Sequence, residues 1–338
     1  MSTVLEQEIR QQGEVLRRRE ALGVESATRA AAVLSRADVD HLLIAARGSS
    51  DNAARFAQYL FGRELRLETS LAAPWLFRDR DAAPRLPSAA VLGISQSGMS
   101  PDVVGVLAAA RAEGRPTIAI TADPASPLAL EADVVVELLC GEERSVAATK
   151  TYLASLHALL QIAEALAPDR RRSTWLARLP DLVDAQVASM LVTRERFDPL
   201  GSLPLITVTG RGAALSSAFE SALKIRELSG TPAEAFSPPD LLHGPIAALD
   251  GSGGAWLVEP EAGQLEIMRE RAAVTVAVGA APPAGPRTID IPLPASAPDW
   301  ARAVLAVIPA QAAGLRLAEV RGGDVDAPAG LSKVTQTR

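Results

Sequence analysis

The chain has 338 residues, 48% of them hydrophobic, and carries 34 Lys and Arg against 40 Asp and Glu for a net charge of -6. That length can give each of two ordinary domains a full core, and the acidic balance argues against a nucleic-acid partner, whose phosphates are gripped by clustered Lys and Arg. A single cysteine, Cys140, excludes an internal disulfide framework and fits a reducing compartment.

The N-terminus lacks the basic and apolar segments of a signal peptide, and no apolar stretch of membrane-spanning length is free of charge, so a cytoplasmic protein with no membrane partner is expected. Residues 1–38 read as two Ala/Leu/Arg/Glu-rich helices broken at Gly23 and packed outside a first domain over residues 39–185. An apolar run over 41–46 predicts a strand, followed by the polar turn Arg47-Gly-Ser-Ser50 and a helical pattern over 52–60. The same order recurs in a strand over 89–94, the turn Ser95-Gln-Ser-Gly-Met-Ser100 and a helix. In that helix Ser100 suits the N-cap, Pro101 the first helical position and Asp102 the positive end of the dipole. Further strands are expected over 117–121 and 133–137, with Cys140 after the latter as a buried structural thiol. The segment Ser145-Val-Ala-Ala-Thr-Lys150 then leads into a long helix ending near residue 167, and Arg170-Arg-Arg172 reads as a solvated helix end or loop.

A second domain over 195–338 restarts the pattern with a strand over 204–210, the turn Arg211-Gly212 and a helix through 218–229. Its alignment with the strand and Arg47-Gly48 turn of the first domain suggests an internal duplication. Strands over 254–258, 273–278 and 288–291 follow, with a turn-rich loop over 279–286, a helix over about 299–317 and an aperiodic tail containing Lys333. Apolar strands that lack two-residue polarity and alternate with helices indicate an α/β fold with mainly parallel sheets covered on both faces.

Two groups of residues carry chemistry. On a helix, Glu220, Lys224 and Glu227 fall at i, i+4 and i+7 and share one face; this fits either a salt-bridged surface helix or one wall of a site, and its place after a strand and Gly-rich turn favours the site. His243 follows in a Gly/Pro-bounded loop. The turn Ser95 to Ser100 combines hydroxyls, a glycine and backbone N–H groups at a helix N-terminus, the parts needed to hold a phosphate, and Ser50 and Thr149 sit in two comparable turns. There is no Gly-x-Gly-x-x-Gly or Walker motif to suggest a nucleotide, the three histidines are too scattered for a metal cluster, and no cofactor is expected.

Taken together, Ile94-Ser-Gln-Ser-Gly98, Ala147-Ala-Thr-Lys150, Glu220-Ser-Ala-Leu-Lys-Ile-Arg-Glu227, His243-Gly-Pro245 and Ser332-Lys333 resemble the SIS (sugar isomerase) family. The resemblance is strongest to the isomerase half of glucosamine-6-phosphate synthase and to free-standing aminosugar-phosphate deaminases and isomerases. It implies two tandem SIS domains, each a flavodoxin-like three-layer αβα sandwich, and a homodimer whose active sites are shared between subunits. It also implies a hexose or hexosamine 6-phosphate held by Ser50, Ser95, Gln96, Ser97 and Ser100. By the same resemblance Glu227 moves a proton between C1 and C2, His243 reaches across the dimer to assist ring opening, and Lys333 forms an imine with the open ketose, while Glu220 and Lys224 support the relay.

Chemistry makes these roles reasonable. A 1,2 proton shift needs one base close to both carbons, a ring needs a donor and acceptor near neutral pH to open, and a lysine on a tail can close over substrate. Three positions depart from the family pattern: Ala148 where the synthase has serine, Arg47 for a small residue and Met99 for an acidic one. The sequence also shows no glutaminase domain ahead of the isomerase half, so glutamine is not expected as nitrogen source. The expected activity is aldose–ketose conversion of a hexosamine 6-phosphate, with glucosamine 6-phosphate to fructose 6-phosphate and ammonia as the leading case. A fructosamine-6-phosphate deglycase and a non-catalytic phosphosugar sensor are the alternatives.

Overall fold

The apolar runs read from the sequence become the central strands of two parallel sheets. The computed structural model describes residues 2–79, 82–280, 285–328 and 330–333. In chain order its elements are α1 (Val4–Arg10), α2 (Gln12–Leu22), α3 (Val24–Leu34), β1 (His41–Ala46), α4 (Ser49–Leu60), β2 (Glu68–Leu71), β3 (Ala89–Ile94), α5 (Pro101–Ala112), β4 (Thr117–Thr121), α6 (Pro127–Leu130), β5 (Val134–Glu137), α7 (Lys150–Leu166) and α8 (Arg170–Val192). There follow β6 (Ile206–Gly210), α9 (Ala213–Ser229), β7 (Ala233–Phe236), α10 (Pro238–Leu242), β8 (Gly254–Val258), α11 (Ala262–Arg271), β9 (Val274–Gly279), β10 (Thr288–Pro292), α12 (Asp299–Ala306) and α13 (Ile308–Arg321).

The chain divides into two units. One contains the described residues of Gln12–Glu143, Lys150–Pro180 and Ser332–Arg338, the other those of Met1–Gln11, Arg144–Thr149 and Asp181–Leu331. The first unit holds a sheet in the order β2-β1-β3-β4-β5, the second a sheet in the order β10-β9-β8-β6-β7, and every pairing in both is parallel. Read from the first strand of each, both are the flavodoxin order 2-1-3-4-5, whose reversal point lies between β1 and β3 in one and between β6 and β8 in the other. The turns at these points match as well. Gly48 has φ 56 and ψ -130, Gly212 has φ 61 and ψ -135, and each is the N-cap of the helix that follows.

Burial on both sheet faces explains why the strands carry little polar alternation. In the first unit Ala45, Val91 and Ala119 pack against Val103, Val106 and Leu107 of α5, while α7, buried along most of its length, contacts α2, α3 and α4. In the second, Leu257 and Ala277 meet Leu265 and Met268 of α11, and α9 packs against β6, α12 and α13. Trp256 of β8 stacks on Phe197 with ring centroids 5.7 Å apart. The apolar stretch Asp299–Arg321 is long enough to span a membrane by composition, but 83% of its most apolar window is buried inside the fold.

Several expectations are corrected. The N-terminal region forms three helices, with a break at Gln11 besides the one at Gly23. α1 is also held from outside. The Asp326 carboxylate accepts from Val4 N at 2.9 Å and Leu5 N at 2.8 Å, and buried Glu8 accepts from Arg144 N at 2.5 Å and from the Ser145 hydroxyl. The helix expected over 299–317 is two, separated before Pro309, whose ring removes a helical hydrogen bond. Arg172 is not solvated: it is buried and donates to Ala163 O at 2.9 Å and Ala167 O at 3.2 Å, satisfying the last carbonyls of α7. Cys140 is buried, and burial raises its thiol pKa to about 11, as suits an inert structural cysteine. Of the loop expected over 279–286, residues 281–284 lie outside the described residues.

A polar cluster sits inside the first unit. Buried Arg19 donates to Gln161 Oε1 at 2.7 Å and to Glu137 O, while His157 Nε2 lies 3.3 Å from Glu20 Oε2. Burial holds the His157 pKa below its ordinary value of 6.5, and the hydrogen bond from His157 lowers that of Glu20. For both groups the unfolded chain takes up a proton at higher pH than the folded one, so stability is lost as pH falls below about 6.5. We predict that the urea midpoint drops between about pH 7 and pH 5, and that His157→Gln makes this drop shallower.

Candidate active site

At the reversal point of the first sheet, β3 ends in the turn Ser95 to Ser100. Gly98, at φ 62, donates from its N–H to Ser95 O and Ser95 Oγ, both at 3.2 Å, which folds the turn back on itself. Gln96 O accepts from Ala122 N at 3.0 Å and Gly98 O from Leu128 N at 3.1 Å, so the turn is fastened to the ends of β4 and α6. Among the described residues, the backbone N–H groups of Gln96, Ser97 and Ser100 and the hydroxyl of Ser50 enter no hydrogen bond. Ser100 caps α5 without using its side chain, and Pro101 occupies the first helical position. Free donors at a helix N-terminus, next to hydroxyls, suit an anion.

Arg47 is engaged here. Its Nη2 and Nε lie 2.6 and 2.7 Å from Asp102 Oδ2, and the Asp102 side chain is only 9% exposed. The pair links the turn after β1 to the first turn of α5. Thr149 is fully buried and belongs to the second unit, whereas Ser50, Ser95, Gln96, Ser97 and Ser100 all belong to the first.

In the second unit, α9 brings Glu220, Lys224 and Glu227 together as their spacing requires. Lys224 Nζ lies 3.5 Å from Glu220 Oε1 and donates to Glu227 Oε2. Glu220 and Lys224 are fully buried and the Glu227 side chain is 24% exposed, so the stripe is no salt-bridged surface but a buried ion-paired triad with one accessible end. Enclosing an ammonium costs several kcal/mol unless partners surround it, and here two carboxylates do.

His243 is exposed at the C-cap of α10 and lines a cavity of about 410 Å³ with Arg211, Pro239, Leu241, Gln264 and Met268. Glu227 is not among the residues lining that cavity. Lys333 belongs to the first unit, where its Nζ donates to Glu143 Oε2 at 2.8 Å. Glu143 was not apparent as a site residue from the sequence. The available signal was an acidic pair, Glu142-Glu143, in the turn ahead of the Ser145 to Lys150 motif. Among the described residues, no three His, Cys, Asp or Glu side chains converge as metal ligands would.

Strand order and the turns at the reversal points define a doubly wound α/β protein of the flavodoxin type. Residues 36–165 match the SIS domain family, and the chain is similar along most of its length to the isomerase half of glutamine–fructose-6-phosphate aminotransferases. It is 32% identical over 327 residues to the isomerizing glutamine–fructose-6-phosphate aminotransferase of Mycolicibacterium smegmatis, an overlap of 88% of this chain and 50% of that protein. The chain spans about half the length of such relatives. A candidate phosphosugar isomerase of Silicibacter pomeroyi has a similar structure, with a TM-score of 0.84, 28% identity and coverage of 96% of this chain and 99% of that one. The C-terminal domain of glucosamine-fructose-6-phosphate aminotransferase from Francisella tularensis shares the fold, with a TM-score of 0.83, 23% identity and coverage of 97% and 99%.

The turn geometry is testable by itself. A Cβ on Gly98 would sit 2.1 Å from Ser126 Oγ and 2.4 Å from Ser126 Cβ, a collision added to the unfavourable positive φ. We predict that Gly98→Ala lowers unfolding free energy by about 2 kcal/mol or more, read as a shift in the urea midpoint at unchanged slope.

Proposed function

We propose that the chain is an aminosugar-phosphate isomerase/deaminase, a cytoplasmic enzyme whose leading reaction converts glucosamine 6-phosphate and water to fructose 6-phosphate and ammonia. The observation that carries this reading is Lys224 enclosed between Glu220 and Glu227 on one stiff helix. A module that only binds sugar has no use for such a set. In this reading two tandem SIS domains, over 39–185 and 195–338 after helices in 1–38, assemble as a homodimer with shared sites.

The phosphate sits on Ser50, Ser95, Gln96, Ser97 and Ser100, and the free donors of the turn after β3 support that placement. His243 of the partner subunit carries the proton that opens the ring. Glu227 then removes the C2 proton and returns it to C1, leaving an imine at C2. Lys224 holds the Glu227 carboxylate in place through their ion pair, and Glu220 keeps the ammonium in register. The Lys333 amine displaces ammonia at C2, and water hydrolyses the resulting lysine imine to the ketose.

The test is incubation with glucosamine 6-phosphate, reading ammonia and fructose 6-phosphate, with a fructosamine 6-phosphate offered in parallel to reveal a deglycase. Glu227→Gln is expected to lower turnover by about 10²-fold or more with substrate affinity nearly unchanged. Hexose phosphate binding without turnover, indifferent to Glu227→Gln, would make the protein a sensor. Mixed dimers of His243→Ala and Glu227→Gln chains are expected to recover part of the activity lost by each, measured on purified heterodimers. No recovery would remove the shared site.

A further inference from the structure

Lys333 does not end at solvent. Its Nζ is 2.8 Å from Oε2 of Glu143, whose side chain is fully buried, whereas that of Lys333 is 24% exposed. The carboxylate is fixed independently of the lysine: Oε1 accepts from Thr151 N at 3.1 Å and Oε2 from Thr151 Oγ1 at 2.6 Å, at the start of α7. If the lysine swings away, Glu143 therefore stays in place on its Thr151 donors. Its charged and titratable neighbours include Cys140, which lies within electrostatic reach of Glu143, Lys150 and Arg19, while the Lys150 ammonium donates to Glu142 O at 2.6 Å.

We infer that Glu143 is the positioning residue of Lys333 and the acceptor of its proton when the amine attacks an open-chain ketose. The inference rests on the reading of Lys333 as the imine-forming lysine. An ammonium has no lone pair and cannot add to a carbonyl, so a proton must leave before the N–C bond forms. Glu143 Oε2 is within transfer distance. The ammonium passes one proton to Glu143, the nitrogen lone pair bonds to C2, and the carbonyl π pair moves to oxygen. That oxygen takes one proton from the newly bonded nitrogen and a second from Glu143, and leaves as water. The product is a C2=N iminium beside a restored carboxylate, with every proton accounted for and no other reactant needed. The charge of the iminium then faces the anion that held the ammonium.

Reductive trapping separates this role from a structural one. The intact protein is incubated with fructose 6-phosphate and cyanoborohydride across a range of pH, and the adduct on Lys333 is quantified by peptide mass spectrometry. Wild type is expected to be trapped at Lys333 and Lys333→Arg at no pH. Glu143→Gln is expected to trap about 10²-fold more slowly near pH 7 and to regain most of the wild-type rate near pH 10, where hydroxide does the acceptor's work. A Glu143→Gln protein that traps at the wild-type rate with the wild-type pH profile overturns the inference while leaving the imine intact. Absence of any Lys333 adduct in wild type overturns the imine reading and this inference with it. Should Glu143→Gln fail to fold, Thr151→Val keeps the carboxylate and removes one of its donors, making it a stronger base. The acid limb of the trapping profile is then expected to move to higher pH, and an unmoved limb counts against the role of Glu143.

Discussion

The enclosed Lys224 ammonium is the constraint on which the second unit depends. A cation without water around it must keep both carboxylate partners, and those partners are four and three residues away on the same helix. The triad therefore holds its geometry only while α9 stays helical and buried. The fold meets that need by packing α9 against β6 and β7 as well as α12 and α13, and by ending it at Gly230 in the left-handed conformation. A carboxylate mounted this way cannot drift, which is the quality a base serving two adjacent carbons requires.

The first unit solves a different electrostatic problem with neutral groups. Its cation beside the turn, Arg47, is committed to Asp102, so an anion at the Ser95 to Ser100 turn would meet amide and hydroxyl dipoles instead. Dipoles fixed by the turn's own hydrogen bonds need no reorganisation when the anion arrives, and they leave it free to depart. Lys224 and Lys333, by contrast, each lie against a buried carboxylate, Glu220 and Glu143 respectively.

Much of this was legible in the sequence, for physical reasons that can be named. The strands β1, β3, β4 and β8 are buried on both faces, and their uninterrupted apolar runs gave their positions. The edge strands β2 and β7 were not anticipated. Each has four residues, Glu68-Thr-Ser-Leu71 and Ala233-Glu-Ala-Phe236, exposes one side, and draws its conformation from a neighbour instead of from its own composition. The stripe on α9 was readable because helical periodicity alone places its members together, but its burial was not, since that depends on helices far along the chain. The Glu143–Lys333 contact spans 190 positions and has no local signature. The capping of α7 by Arg172 was hidden for a related reason, because a run of three arginines looks solvated until one of them folds back.

Asp326 sets a limit on the tail. By clasping the first turn of α1 it fixes the chain seven residues before Lys333, and a fully extended segment of that length spans at most about 25 Å. The lysine is thus on a short leash, and the volume it can search is that of a small sphere. An amine confined in this way meets any carbonyl inside its radius at an effective concentration on the order of ten millimolar, without having to diffuse to it.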